Sequence, residues 1–73
     1  MKQEKALRLF NEVYDRNYNE VYSYILAKTG DITRAPEILN DSFADLYKNF
    51  LSRKKDDIEN KRAYLYSIVK NRL

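Results

Sequence analysis

Leu7, Phe10, Val13, Tyr14, Tyr18, Val21, Tyr22, Ile25 and Leu26 recur at intervals of three and four residues. That spacing puts side chains on one face of an α-helix, and nothing in the run alternates with the period of two that a strand requires. Asp15-Arg16-Asn17 and Asn19 interrupt the run. Asn and Asp side chains compete for backbone amides, so a break between two helices is predicted, near 3–16 and 18–28. Gly30 follows directly and suits a left-handed helix C-cap.

Asp31 and Thr33 are both candidate caps for the next helix. Pro36 is tolerated where its missing N–H would have had no partner, which favours a start at Thr33. From Ala35 the pattern runs Ile38, Leu39, Ser42, Phe43, Leu46, Tyr47, Phe50 and Leu51, an amphipathic helix predicted over 33–54, ~20 residues and roughly 30 Å long. Arg53-Lys54-Lys55 at its end either complement the helix dipole or face an anion partner. Asp56–Asn60 lack periodicity and read as a connector. Ala63, Tyr64, Leu65, Ile68, Val69 and Leu73 then give a last helical face over 61–73. Leu73 has no cap, Gly or Pro after it, so the final helix is expected to continue in a longer parent chain. The fold expected is all-α, a compact bundle of three to four helices (about 3–16, 18–28, 33–54 and 61–73) in one domain.

Composition narrows the chemistry. The 73 residues include no Cys and no His, one Gly and one Pro. Disulfides, zinc-finger spacing, thiol nucleophiles and Ser-His-Asp arrangements are therefore excluded. Turn residues are too few for repeated hairpins. No run approaches the ~18 apolar residues of a membrane span, and no apolar stretch follows Met1–Lys5 to make a signal peptide. A soluble, cytoplasmic protein without membrane contact is expected. A chain this short rarely draws more than ~3–5 kcal/mol from a single core, which suits a domain that works beside a larger partner.

The net charge of +3 is unevenly placed. Residues 1–52 hold seven cations and eight anions, whereas residues 53–73 hold seven cations and three anions, so the excess lies at one end. Arg62, Tyr66 and Lys70 are spaced i, i+4, i+8 and share a side of the last helix, opposite Leu65, Ile68 and Val69. Such a face is either a solvated basic surface or a grip in which cations hold phosphates while a ring stacks on an unpaired base. Along the middle helix Glu37, Asp41, Ala44, Asp45 and Lys48 form a mostly acidic stripe, either a solvated face or a surface for a basic protein. Its carboxylates lack a phosphate loop, a metal-ligand constellation or a partner to split their pKa values. No catalytic or metal-binding residue is assigned, and no cofactor is expected. Tyr14, Tyr18 and Tyr22 are read as a core stripe.

Taken together, Asp31-Ile32-Thr33-Arg34-Ala35-Pro36-Glu37-Ile38-Leu39-Asn40-Asp41-Ser42-Phe43 and Asn60-Lys61-Arg62-Ala63-Tyr64-Leu65-Tyr66-Ser67-Ile68-Val69-Lys70-Asn71 follow the order and spacing of two blocks of bacterial sigma factors. The first is similar to the family's Gly-Asp, short gap, Ala-Glu-Asp-Leu-Val-Gln-Glu-Thr-Phe pattern. The second is similar to its Asn-Pro-Arg-Ala-Trp-Leu-Tyr-Arg-Ile-Ala-Arg-Asn segment. The chain, from about Phe10 to Leu73, resembles region two of an extracytoplasmic-function sigma factor. Asn40 and Asp41 are each one methylene shorter than the family's Gln and Glu, and Tyr64 takes the position of its Trp, where packing is expected.

The resemblance implies that Glu37, Asn40 and Asp41, with Asp45 on the same stripe, dock on the clamp helices of the RNA polymerase β′ subunit. It implies that the −10 promoter element is read as melted, single-stranded DNA. The base-pocket loop would then be Asp56, Asp57, Ile58, Glu59 and Asn60, and the DNA-binding residues Lys61, Arg62, Tyr66, Lys70 and Asn71. A following helix-turn-helix domain and an inhibitory anti-sigma protein are further expectations. Two other readings stand beside it: a small helical module that contacts only protein, and a duplex-binding helix-turn-helix protein. The Asp56–Asn60 connector is longer than a helix-turn-helix turn of ~3–4 residues and lacks its Gly.

Overall fold

The computed structural model describes residues 2–52 and 59–73. Among them the chain forms three α-helices, α1 over Lys2–Thr29, α2 over Arg34–Leu51 and α3 over Lys61–Arg72. The all-α bundle expected from the sequence is therefore present, with one helix where two were predicted at the N-terminal end. The residues from 53 to 58, which include the Arg53-Lys54-Lys55 cluster and Asp56, Asp57 and Ile58 of the base-pocket loop, lie outside the described residues.

The break predicted at Asp15–Asn17 does not occur. Asn17 is buried at 7% exposure, in line with Val13, Val21 and Ile25 at steps of four. Its Nδ2 donates to the Val13 carbonyl at 2.8 Å, one turn back in the same helix. The side chain that was expected to compete with the helix is thus satisfied by it. The apolar stripe also keeps its phase through the polar segment, and a real break would have shifted it.

Gly30 ends α1 as expected, with φ at +63° and its N–H donating to the Leu26 carbonyl at 2.8 Å. α2 begins directly after Thr33, as expected, but the capping bond is not made by that residue. Thr33 makes no capping hydrogen bond. Asp31 caps instead, its Oδ1 accepting from the N–H groups of Thr33 at 2.9 Å and Arg34 at 3.1 Å. An Asp carboxylate there meets the positive end of the helix dipole as well. Pro36 has no N–H for the carbonyl of Ile32, and that residue stands 73% exposed in the turn before α2.

At 1.5 Å per residue α1 is about 42 Å long and α2 about 27 Å. The molecule measures 40 × 17 × 17 Å, so α2 has to lie along α1. The four-residue turn 30–33 makes the two antiparallel. A helix-turn-helix pair crosses at a much steeper angle than α1 and α2 do, and α2 and α3 are separated by residues 52–60, a longer stretch than the ~3–4 residues of such a turn. Ala35, Ile38, Leu39, Phe43, Leu46 and Phe50 of α2 pack with Val13, Val21 and Ile25 of α1, while α3 adds Leu65 and Val69. Phe43 is the aromatic centre, with Tyr14 at 4.7 Å and Phe10 at 6.0 Å between centroids. Tyr18 lies stacked at 6.4 Å from it. The tyrosine stripe is thus half-buried core, as its spacing predicts. No helix of the described residues is long and apolar enough to cross a membrane.

Candidate nucleic-acid and partner-docking surfaces

Asn60 starts α3. Its Oδ1 accepts from the Ala63 N–H at 2.9 Å, the bond that an N-cap makes to the third helical residue. This residue was assigned to the base-pocket loop, and in the structure its side-chain oxygen serves the helix. Two positions on, Arg62 points back to α1. Its Nε and Nη2 donate to Glu20 Oε1 at 3.0 Å and 2.7 Å, and the Tyr66 hydroxyl donates to the same oxygen at 3.0 Å. The Arg62 guanidinium lies 5.0 Å from the Tyr66 ring centroid, as the i, i+4 spacing predicts. Tyr24 meets the same ring edge-on at 5.2 Å.

Tyr66 is therefore placed differently from its expected solvent-facing side. Its ring packs against the core rim between two neighbours. Burial, followed by the hydrogen bond and negative charge of Glu20, pushes its phenol above the ordinary tyrosine value. The Arg62 hydrogen bond, then that of Tyr66, holds the Glu20 carboxyl below the ordinary carboxylate value. Lys70 and Asn71 are exposed and Lys61 is half-buried. Tyr64 is partly buried against the core, as expected for the position of the family's Trp.

On α2, Glu37, Asn40 and Asp41 are exposed, about two to three turns from the cap at Asp31, while Leu39 and Phe43 of the same turns are buried. Asp45 is half-buried, because Arg72 at the end of α3 reaches it. Arg72 Nε and Nη2 both lie 2.7 Å from Asp45 Oδ2. Its Nη1 lies 3.7 Å from Asp41 Oδ2. The acidic stripe read from the sequence exists as a surface, with its C-terminal half partly neutralised by this chain's own cation. Beside it Leu7, Phe10, Tyr14, Ala44 and Tyr47 line a shallow, mostly apolar groove between α1 and α2.

Two residues of these surfaces were missed from the sequence, Glu20 and Arg72. Each meets its partners across long stretches of chain, 42 residues between Glu20 and Arg62 and 27 between Asp45 and Arg72. Local charge spacing has no signal for such pairs. Among the described residues no three His, Cys, Asp or Glu side chains gather where they could hold a metal ion.

Fold and surfaces define a small all-α domain with an acidic face on α2 and a basic, tyrosine-containing face on α3. No protein-family model matches the chain, and no curated protein or solved structure shows significant similarity to it.

Proposed function

We propose that this chain is a transcription-initiation domain of the sigma-factor region-two type, which docks on RNA polymerase core through α2 and takes the promoter −10 element as single-stranded DNA on α3. The observation that carries this reading is the division of exposed side chains: Glu37, Asn40 and Asp41 on α2, and Arg62, Lys70 and Asn71 on α3. A polyanion is repelled by the first set and attracted by the second, whereas a basic protein surface such as the β′ clamp helices suits the first. Flipping a base out of the duplex costs a few kcal/mol of stacking, which capture on α3 recovers, so recognition and melting become one step. The domain binds and makes or breaks no bond. Such a factor works in the cytoplasm, and an anti-sigma protein would act by covering the same faces.

Binding of a labelled single-stranded −10-like oligonucleotide, compared with the same sequence as duplex, tests the reading. Preference for the single strand is expected, and Lys70→Ala should weaken it and lower its salt dependence by about one phosphate contact. Duplex preference would instead favour groove reading. Absence of binding to either form would favour a module that contacts only protein. One observation supports that second reading: Arg62 and Tyr66 are already bonded to Glu20, and Arg72 to Asp45.

A further inference from the structure

The contact between Glu20 and α3 is built from more than two flexible side chains. Three donors converge on the single oxygen Oε1: Arg62 Nε at 3.0 Å, Arg62 Nη2 at 2.7 Å and the Tyr66 hydroxyl at 3.0 Å. The donors are themselves held, Arg62 against the Tyr66 ring and Tyr66 against Tyr24. Glu20 is in place because α1 runs unbroken through Asn17. A guanidinium fork with a hydroxyl beside it is a receptor for an oxyanion, and it takes a phosphate oxygen by the same geometry as a carboxylate oxygen.

We propose that Glu20 is a built-in competitor, whose carboxylate occupies the Arg62–Tyr66 grip that a phosphodiester of single-stranded DNA takes, so that the strand binds by displacing it. This rests on the single-strand reading given above. The side chains of Arg62 and Glu20 are 57% and 52% exposed, so a phosphate can reach the grip and the ion pair is weak enough to exchange. Protonation does not release Glu20 near neutral pH, because the bonds from Arg62 and Tyr66 keep it ionised. Only a competing anion does. The device raises the threshold for binding, so that an isolated phosphate contact gains little and a strand that also engages Lys70 and Asn71 gains enough.

The test is a salt series of oligonucleotide binding by fluorescence anisotropy, with the whole chain and its Glu20→Gln, Arg62→Ala and doubly substituted variants. Glu20→Gln keeps the shape and an acceptor for Tyr66 and removes the charge. It should bind the single strand roughly three- to ten-fold more tightly, with a salt slope steeper by about one phosphate. The gain should vanish in the Arg62→Ala background. Glu20→Ala, which removes the acceptor too, should change affinity in the same direction. If the parent chain binds the strand and both Glu20 variants bind it equally or more weakly, Glu20 is no competitor, while the single-strand reading stands. If none of the proteins binds, both fall.

Discussion

Arg72 closes over the middle of α2, with its Nε and Nη2 each 2.7 Å from Asp45 Oδ2. The last residue of α3 thereby shields one acid of the proposed docking face and leaves Glu37 exposed. A basic partner arriving at this face competes with a cation that the chain already supplies. The N-terminal half of the face, around Glu37 and Asn40, is the part that can be contacted without displacing Arg72.

Reversing the charge at Asp41 separates docking from folding. Its side chain is 61% exposed and stands 3.7 Å from Arg72 Nη1, a loose pairing. Asp41→Lys should reduce retention of the domain on polymerase core at least several-fold, while stability stays within about 0.5 kcal/mol, as for most surface substitutions. Unchanged retention in a pull-down would remove Asp41 from the docking face.

The two candidate caps of α2 predict opposite results. Asp31→Ala should cost about 1 kcal/mol, since it orphans the N–H groups of Thr33 and Arg34. Thr33→Ala should cost little, because its hydroxyl caps nothing. Urea unfolding of the pair checks the assignment, and a larger loss at Thr33 would reverse it.

Ser42 is fully buried, and among the described residues its hydroxyl has no hydrogen-bond partner. A buried polar group left unpaired costs about 1–3 kcal/mol. Ser42→Ala removes that group with almost no change in shape, so it should stabilise the fold by up to about 1 kcal/mol. A loss of stability in chemical denaturation would show that the hydroxyl is satisfied after all.

Acid and base should act on the Glu20 contact from opposite sides. Glu20 is held below its ordinary value, first by the Arg62 hydrogen bond. Its contribution to stability is therefore present above the ordinary carboxylate range and lost as pH falls through the lowered value. Tyr66 is pushed up, first by burial and then by the Glu20 hydrogen bond. Its contribution is complete below the ordinary tyrosine range and lost as pH rises through the raised value. Site-resolved NMR of the Tyr66 ring should show this high titration, and Glu20→Gln should bring it down. An unmoved titration would mean that burial alone raises it.

Much of the architecture was legible in the spacing of apolar residues. The α2 stripe from Ala35 to Phe50, the tyrosines around Phe43 and the left-handed Gly30 are all where the pattern puts them. The misreadings share a cause. The type of residue at Asn17 signals competition with local backbone, whereas burial turns that side chain back onto its own helix. The position of Pro36 points to Thr33, whereas the reach of the Asp31 carboxylate decides which side chain makes the capping bonds. Of the surfaces, the Arg62–Tyr66 contact follows from helical spacing. Periodicity within one helix says nothing about which residue of another helix will face it, so Glu20 and Arg72 stayed hidden.

The helix α3 is lightly held. It sinks only Leu65 and Val69 completely, and it is tied near each end by an exposed ion pair, Arg62 to Glu20 and Arg72 to Asp45. Dissolved salt weakens exposed pairs and leaves apolar packing largely untouched. Rising ionic strength therefore loosens both ends of one helix together, while the antiparallel pair around Phe43 keeps its grip. Amide exchange along α3 should quicken with salt well before that of α1 and α2.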